Sequence, residues 1–503
     1  MELESELEKW FGFTSFREGQ KKTISSVLEG NDTLAMLATG TGKSLCYQLP
    51  VYMLNKPAII ISPLLSLMQD QVEQLKMSGE KRVVAINSFL SFEEKEAALN
   101  RIGDYLFIFL SPEMLSSKRI IRLIRNLDIG LFVVDEAHCI SQWGYDFRPS
   151  YLQIGEARKE LGFPLTLALT ATAPTEVRED IKRYLQLSDC KEIITTVNRS
   201  NIGLFVEKCQ TYIEKEERLL ELADKLQKPG IIYFSSKKAA KEIFEKLTAR
   251  GIKDAGLYHG DLLQEDRVLI QQQFLNGQIS VVCATSAFGM GINKGNVRFV
   301  IHFHMPQNME SYLQEIGRAG RDGKESVAVL LYSPGDQEIP LYLMQQEQPD
   351  ESRLQALIDY WKGTYGDYIP KETDIAGDLA LFGFTDTQQR LMLHFLHNGT
   401  GSLNGKMELF FSQMKEGTEK KLSKWKRFYE WFTTHGCYRK GILDYFGETA
   451  SPDALVCCSN CGGEIDRYYA GRKDGNSDRE QDSKFDWREE LSAFLTRENG
   501  RDG

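Results

Sequence analysis

Short apolar runs rich in β-branched residues alternate with longer amphipathic stretches from residue 33 to residue 332 of this chain. Up to residue 170 the runs read TLAMLA, AIIIS, RVVAI, LFIFL, LFVVD and LTLALT. A second series follows the segment TTVNRSNIG and reads GIIYFSS, DAGLYHG, SVVCAT, RFVIHF and SVAVLLY. Such runs, separated by helical stretches, are typical of parallel strands buried between helices. The pattern therefore predicts two α/β domains in tandem, joined near residues 193–200.

A different pattern begins beyond Pro334, where long helical stretches lack β-branched runs. It continues to a cluster of cysteines and predicts a third, mainly helical domain. The last stretch, GRKDGNSDREQDSK, has few apolar residues and many charges, which is typical of a disordered linker. Because 503 residues exceed one ordinary hydrophobic core, we divide the chain into the segments 1–194, 195–336, 337–466 and 467–503.

The charge and hydropathy of the chain exclude some classes of protein. The formal net charge of −10 argues against a uniformly basic nucleic-acid binder, although an acidic average can contain a local basic groove. No run approaches the roughly 20 apolar residues that span a bilayer. The start, MELESELEKWFGF, is acidic and amphipathic, unlike a signal peptide. We therefore expect a cytoplasmic protein without a membrane partner.

The segment ATGTGKS, residues 38–44, follows the first predicted strand and precedes the helical run SLCYQLPVYML. Its glycines let backbone N–H groups wrap a phosphate, while Lys43 can reach the terminal phosphates and Ser44 can ligate Mg²⁺. Leu37 stands where the first glycine of the full phosphate-loop pattern would be, so a chance glycine-rich turn is the alternative. The predicted nucleotide-binding residues are Thr39, Gly40, Thr41, Gly42, Lys43 and Ser44.

An acidic pair ends the run LFVVD. Asp135 is placed to hold Mg²⁺ together with Ser44, and Glu136 is placed to orient the water that attacks the γ-phosphate. His138 completes the sequence DEAH, and we count it with Lys43 among the catalytic candidates. Two carboxylates alone are more often a solvated strand end. Joined to a phosphate loop, they predict a nucleotide hydrolase.

The shortened phosphate loop and the sequence DEAH resemble a superfamily 2 helicase, and neighbouring segments resemble the RecQ family. LEKWFGFTSFREGQ, TGTGKSLCYQLP, ISPLLSLMQDQ, SPEML and LTATA are similar to its motifs, in the family's order. The resemblance implies two RecA-like lobes that use ATP and Mg²⁺. It also implies that Gln20 lies against the adenine edge and Arg17 close to the nucleotide.

An aromatic-rich loop directly follows DEAH. Of these similar segments, it is the one most specific to the RecQ family. In the family this loop senses single-stranded DNA, so the resemblance implies that Trp143, Phe147 and Arg148 contact bases and relay their presence to Glu136. Stacking is worth roughly 1–3 kcal/mol per base and tolerates any base sequence. The alternative is that Trp143 and Phe147 cover the domain core.

The segment YLQEIGRAGRDG carries Gln314, Arg318 and Arg321 at helical spacing, which predicts that all three lie near one face. Alone it could equally be an exposed charged helix. Its resemblance to the family's motif VI makes Arg318 and Arg321 the cleft-facing pair, with Arg321 as the arginine finger that stabilises charge on the γ-phosphate.

Three further segments of the second domain resemble family motifs. ATSAFGMGINKGNVRFVIHF is similar to motif V, while YFSSKKAA and LYHGDL are similar to strand-binding motifs. The resemblance offers Ser235, Lys237 and His259 as DNA phosphate contacts. His259 taken alone is as well explained as a surface or core histidine.

Four cysteines, Cys437, Cys457, Cys458 and Cys461, are enough for a tetrahedral structural zinc site. Four unrelated buried cysteines are the alternative. HGCYRKGILDYFGE resembles the zinc-binding segment of the family. The spacing departs from that family, because Cys457 and Cys458 are adjacent and Glu464 stands where a last cysteine would be. The fourth zinc ligand is therefore open.

The interval between Arg321 and Cys437 is about twice that of the family, which implies an inserted helical element around DTQQRLMLHFL. The stretch KKLSKWKRFYEWF has two interpretations. It could lie along duplex DNA, or it could be an amphipathic helix that docks Trp425 and Phe428 against the zinc segment. The DNA interpretation assigns phosphate contacts to Lys420, Lys421, Lys424, Lys426 and Arg427.

The resemblance implies a 3′-to-5′ DNA helicase of recombination and repair, acting on single-stranded and partially duplex DNA at the bacterial nucleoid. The family's winged-helix and HRDC domains are not recognised after the cysteines. An RNA remodeller and an ATP-gated DNA-binding protein are the alternatives. The tail segment FDWREELSAFL either folds back on the core or docks on a single-strand-binding or repair protein.

Overall fold

The computed structural model describes residues 3–63, 65–87, 90–141, 149–289, 294–347, 350–366, 372–385, 388–389, 392–393, 396, 402–449 and 457–471. Trp143, Phe147 and Arg148 lie outside the described residues. So do residues 472–503, including the predicted tail segment, and much of DTQQRLMLHFL. The expectations for these segments stay predictions.

The first lobe is built on a parallel sheet with the strand order β3-β4-β2-β5-β6-β1-β7. The central strands are buried along their whole length, as their apolar composition predicts. The strands are β1 (Thr33–Met36), β2 (Ala58–Ile61), β3 (Val83–Ile86), β4 (Phe107–Leu110), β5 (Leu131–Val134), β6 (Thr166–Thr170) and β7 (Lys191–Ile194).

The second lobe repeats this design with the order β10-β11-β9-β12-β13-β8, again with parallel pairing. The prediction of two α/β domains in tandem is confirmed. The strands are β8 (Ile202–Lys208), β9 (Gly230–Phe234), β10 (Ala255–Tyr258), β11 (Val281–Thr285), β12 (Phe299–His302) and β13 (Ser326–Tyr332).

Helices connect these strands. In the first lobe they are α1 (Leu3–Phe11), α2 (Gln20–Leu28), α3 (Leu45–Leu54), α4 (Leu65–Met77), α5 (Phe92–Asn100), α6 (Lys118–Arg125), α7 (Pro149–Leu152), α8 (Ile154–Glu160) and α9 (Thr175–Tyr184). In the second lobe they are α10 (Tyr212–Lys225), α11 (Lys237–Ala249), α12 (Gln264–Leu275) and α13 (Met309–Ile316). None of the helices that the structure describes has the length and apolar character needed to cross a membrane.

The region after β13 is mainly helical, as predicted. The helices whose bounds the structure describes there are α14 (Glu338–Glu347), α15 (Glu351–Tyr365), α16 (Glu372–Leu381), α17 (Leu403–Thr433) and α18 (Tyr438–Tyr445). Residues 354–410 form a separate apolar core, in which the fully buried Trp361 donates its indole N–H to Asp378 at 2.8 Å. By contrast, Phe428 and Trp431 at the end of α17 join the core shared by both lobes.

The structure favours the docking interpretation for the basic aromatic stretch of α17. Lys424 forms an ion pair with the buried Glu310 at 2.9 Å, and the Arg427 guanidinium lies 4.2 Å from the ring centroid of Tyr445. Trp425 and Phe428 pack in the shared core. The exposed Lys420 and Lys426 pair with glutamates one turn away on the same helix. The side chains of Lys424 and Arg427 therefore contact groups of the protein itself, Glu310 and the Tyr445 ring.

The cysteine segment (residues 437–449 and 457–471) is joined to the free edge of the second sheet. The backbone N–H of Leu204 in β8 donates to Cys457 O at 3.4 Å, and Leu204 pairs with Cys458 in a parallel bridge. A side chain at Gly203 would overlap the Tyr468 ring. The segment therefore covers an edge strand that would otherwise expose unpaired backbone groups.

Candidate active site

The phosphate loop joins β1 to α3 in the first lobe. Gly40 and Gly42 have φ angles of 85° and 75°, a left-handed conformation that favours glycine. Ser44 is the N-cap residue of α3, so the loop meets the positive end of a helix dipole. A glycine turn that leads into a helix N-terminus is suited to binding phosphate.

Two residues predicted near the nucleotide hold this loop from α2 and the segment before it. The buried Gln20 donates from Nε2 to Thr41 O at 2.6 Å and to Gly42 O at 3.1 Å. Gln20 Oε1 accepts from the Arg17 N–H at 2.8 Å, and Arg17 Nη1 donates to Gly40 O. Both side chains are thus placed at the phosphate loop, while their contact with adenine stays a prediction.

The acidic pair follows directly on β5, against which α3 packs. The Glu136 N–H donates to Asp135 Oδ1 at 3.0 Å, and the Tyr151 hydroxyl donates to Asp135 O at 3.0 Å. Glu136 has a φ of 47°, an unusual left-handed conformation for a residue other than glycine. Backbone strain of this kind is concentrated at functional sites.

Glu136 offers a free acceptor in a buried position. Its Oε2 atom lies 3.3 Å from His138 Nδ1, yet it accepts no hydrogen bond from any residue that the structure describes. His138 Nδ1 lies 2.9 Å from Thr170 Oγ1, which links the DEAH sequence to the LTATA segment. An unused carboxylate oxygen at this place fits a role in orienting an attacking water.

The environment of Asp135 fits a cation. Burial, followed by the charge of Glu136, raises the pKa of Asp135 to about 7, while Lys43 and the Glu136 N–H act in the opposite direction. A bound divalent cation would stabilise the ionised carboxylate. The oxygens of Ser44 and Asp135 are ligands of the type that Mg²⁺ prefers.

The glycine turn after α13 (residues 317–323) carries the two predicted cleft arginines. The interpretation that Gln314, Arg318 and Arg321 lie on one helix face is wrong. The helix ends at Ile316, and only the half-buried Gln314 lies on it. Beyond that end the chain turns, with φ of 54° at Gly320, and its carbonyls accept hydrogen bonds from outside the helix.

Arg321 lies against the phosphate loop of the other lobe. A Cβ at Gly40 would be 2.8 Å from Arg321 Cγ, so glycine is required for this contact. Arg318 is buried and donates to Gly289 O in the motif V segment. Burial, followed by the charges of Arg318 and Arg199, lowers the pKa of Arg321 to about 9. Three neighbouring guanidinium groups create a site that favours a polyanion such as a triphosphate.

Sequence patterns did not single out Arg199, which lies in the linker between the lobes. Its guanidinium donates to the carbonyl of Thr39 in the phosphate loop at 3.1 Å and to the carbonyl of Gly317 at 3.2 Å. The only signal in the sequence was an arginine in the segment that joins two domains.

The three predicted DNA-contact residues lie at one edge of the second sheet. Ser235 and Lys237 follow β9 and His259 follows β10, both at their carboxyl ends. The Ser235 N–H donates to His304 Nδ1 at 3.1 Å, and the exposed Lys237 pairs with Asp261. His259 Nδ1 is buried and has no hydrogen-bond partner among the described residues. Contact of these groups with DNA stays a prediction.

The four predicted zinc ligands converge. The Sγ atoms of Cys437, Cys457, Cys458 and Cys461 all lie within 4.8 Å of one another, and Glu464 is not among them. All are free thiols, and Cys437 is the N-cap residue of α18. Four clustered thiols fit the tetrahedral coordination of structural zinc. Cys457, which is adjacent to Cys458 in the sequence, is placed with the other three thiols.

Three protein-family descriptions match the chain. Residues 17–181 match the DEAD/DEAH box helicase family, residues 214–323 match the helicase conserved C-terminal domain, and residues 392–462 match the RecQ zinc-binding family. The two lobes and the cleft between them therefore define a helicase of the DEAD/DEAH class.

Individual relatives narrow this class. The probable ATP-dependent DNA helicase RecS of Bacillus subtilis (strain 168) is 45% identical over 468 residues, which are 93% of each chain. The ATP-dependent DNA helicase RecQ of the same organism is 41% identical over 369 residues, which cover 71% of this chain and 61% of that protein. The chain belongs to the RecQ family of ATP-dependent DNA helicases.

A solved structure, the DUF1998 helicase MrfA bound to DNA, is similar with a TM-score of 0.57 and 21% identity. The match covers 68% of this chain and 52% of that chain. At this identity the likeness supports the fold alone.

Replacing Glu136 with glutamine should remove the carboxylate charge while preserving the shape of the side chain. We expect kcat for ATP hydrolysis to fall by about 100-fold or more, because the group that orients water is lost. Equilibrium binding of ATP should remain, whereas Lys43→Ala should weaken it. Glu93→Gln, an exposed glutamate in α5, is the control. Near-normal hydrolysis by Glu136→Gln would remove this residue from the mechanism.

Proposed function

We propose that this chain couples ATP hydrolysis to 3′-to-5′ movement along single-stranded DNA and to the unwinding of partially duplex DNA, in recombination and repair at the nucleoid. The contact between Arg321 of the second lobe and Gly40 of the first supports this proposal. Because the hydrolytic groups are divided between the lobes, hydrolysis would require the cleft to close and product release would allow it to open.

In this mechanism the chain's own residues bind and orient ATP. Thr39, Gly40, Thr41 and Gly42 form the phosphate cradle, and Lys43 binds the terminal phosphates. Mg²⁺, held by Ser44 and Asp135, would neutralise phosphate charge. Glu136 orients the water through its free Oε2, with His138 beside it. Arg321 stabilises the charge that develops on the γ-phosphate.

DNA would lie across the carboxyl-end edge of the second sheet. Ser235, Lys237 and His259 share that edge, and phosphate would replace Asp261 as the partner of Lys237. The aromatic loop directly follows the DEAH sequence, so Trp143, Phe147 and Arg148 come 7, 11 and 12 residues after Glu136 in the sequence. Their proposed role is to report bound bases to the hydrolytic site. Docking of the tail on a repair protein remains a sequence prediction.

The central experiment is strand displacement. We expect ATP-dependent unwinding of a duplex with a 3′ single-stranded overhang and little unwinding with a 5′ overhang, with Glu136→Gln as the inactive control. Single-stranded DNA should stimulate ATP hydrolysis more strongly than RNA of the same sequence. Stimulation by RNA alone would favour an RNA remodeller, and ATP-dependent DNA binding without displacement would favour a clamp.

The proposed role of the aromatic loop has a separate test. Trp143→Ala should lower the DNA-stimulated rate of ATP hydrolysis by about tenfold or more, because the loss of stacking weakens the signal from bound bases. The rate without DNA should stay near that of the unmodified protein. Phe92→Ala, at an exposed aromatic residue of α5, is the control. An equal loss of both rates would indicate that Trp143 is a core residue.

We also propose that the four clustered cysteines bind a structural zinc ion. Cys461→Ser should lower the zinc content of the purified protein and its melting temperature, because the cysteine segment is held on β8. Cys190→Ser, at a half-buried cysteine of the first lobe, should retain the metal. Absence of zinc from the unmodified protein on metal analysis would refute the site.

A further inference from the structure

Arg199 uses its whole guanidinium group to connect parts of the protein that carry the ATP site. The Nε atom donates to Asn201 Oδ1 at 3.3 Å. The other four hydrogen bonds go to backbone carbonyls at distances between 2.7 and 3.2 Å, those of Thr39, Gly317, Ala319 and Gly320. Arginine has five N–H donors in a fixed plane, so every donor finds an acceptor here.

Three of the four carbonyls that Arg199 binds belong to the glycine turn. Arg318 and Arg321 lie within this turn, so its conformation sets the direction of both side chains. Asn201 strengthens the same arrangement, because its Nδ2 donates to Gly320 O at 2.8 Å and to Lys324 O at 2.9 Å. The linker between the lobes therefore shapes the turn that carries the proposed arginine finger.

The hydrogen bonds of Arg199 are divided unequally between the lobes. Three go to the glycine turn of the second lobe, and one, to Thr39 O, goes to the phosphate loop of the first. Separation of the lobes would therefore break the bond to Thr39 and leave the three bonds to the second lobe in place. At Gly317 a side chain would overlap Thr39 Oγ1, so the two backbones must approach closely for this bond to form.

The backbone of Arg199 is itself held by the cysteine segment. The buried Arg439 donates to Arg199 O at 2.9 Å, to Asn198 Oδ1 at 2.8 Å and to Ile202 O at 2.6 Å. Its Nη2 also donates to Cys457 O at 3.2 Å, within the cysteine cluster. A single side chain thus fixes both the linker on either side of Arg199 and the chain beside the thiols.

A second contact from the same segment holds the start of the linker. Glu448 accepts the Val197 N–H at 2.9 Å and the Thr196 hydroxyl at 2.5 Å. The linker therefore has fixed attachments on both sides of Arg199. Such a support reduces the freedom of Arg199 to take up other positions.

We propose that Arg199 is a positioning residue for ATP hydrolysis, and that Arg439 of the cysteine segment holds it in place. Arg199 sets the glycine turn against the phosphate loop so that Arg321 is aligned with the γ-phosphate when the cleft closes. The cysteine segment thereby contributes to the ATP site indirectly: Arg439 holds Arg199, and Arg199 holds the glycine turn. This inference rests on the proposed function and deepens it.

The first test is Arg199→Lys, which keeps the charge but has three donors without a planar arrangement. We expect the DNA-stimulated kcat to fall about 10-fold to 100-fold, the effect of a misplaced catalytic group. The KM for ATP should change by less than about threefold, since binding contacts outside the turn remain. The melting temperature should stay near that of the unmodified protein.

Arg218→Lys is the matched control. Arg218 in α10 is also a half-buried arginine of the second lobe with several hydrogen bonds, but its partners are Glu207 and Glu221. The Arg218→Lys variant should have the kcat of the unmodified protein. If Arg199→Lys hydrolyses ATP at the unmodified rate, or if Arg218→Lys loses as much activity, the positioning role is overturned. Should Arg199→Lys fail to fold, Asn201→Ala tests the same turn and should lower kcat in the same direction.

The second test combines Arg439→Lys with Arg199→Lys. If the two residues act in series, the double variant should hydrolyse ATP no more slowly than the Arg199→Lys variant. The zinc content should be unchanged in Arg199→Lys, in Arg439→Lys and in the double variant. Effects that multiply in the double variant would overturn the series arrangement, as would loss of zinc from Arg439→Lys.

These outcomes are distinct from failure of the proposed function. An unmodified protein whose ATP hydrolysis does not respond to DNA would refute the proposed function and this inference with it. An unmodified protein that responds to DNA, with Arg199→Lys responding equally, would refute the inference alone.

Discussion

The close approach of two backbones across the cleft governs the organisation of this protein. The glycine turn of the second lobe meets the phosphate loop of the first where a side chain at Gly317 would overlap Thr39 and one at Gly40 would meet Arg321. Glycine removes the steric barrier, and Arg199 supplies hydrogen bonds to carbonyls on both sides. The contact brings the phosphate loop of one lobe and the arginine-bearing turn of the other together in this RecQ-family chain.

The cysteine segment packs against the second lobe and the linker, besides bringing its four thiols together. It pairs with β8 at Leu204, packs Tyr468 over Gly203, and reaches the linker through Arg439 and Glu448. Because an edge strand with unpaired backbone groups is a liability, covering β8 stabilises the second lobe. The same segment holds both ends of the linker through these hydrogen bonds. Coverage of the β8 edge and attachment of the linker therefore follow from the packing of one segment.

Buried strands and the phosphate loop were predictable, because their residues carry local signals. Strand β2 is continuously apolar, and the glycines of residues 38–44 precede a helical run. The edge strands β7 and β8 were not predicted. Strand β7 is largely exposed and lacks the apolar pattern, and β8 begins at Ile202, just after the predicted linker. The helical spacing of Arg318 and Arg321 was misleading, because hydrogen bonds from Arg199 and Asn201 hold a turn there.

The sequence by itself determined two parallel-sheet lobes and a glycine turn that leads into a helix at residues 38–44, because each depends on composition or spacing within a short segment. Only the tertiary structure decided that Arg321 faces Gly40, that Cys457 lies with the other thiols, and that Arg199 and Arg439 support the cleft. Those features join residues far apart in the chain. They depend on how the lobes and the cysteine segment pack, which no local pattern encodes.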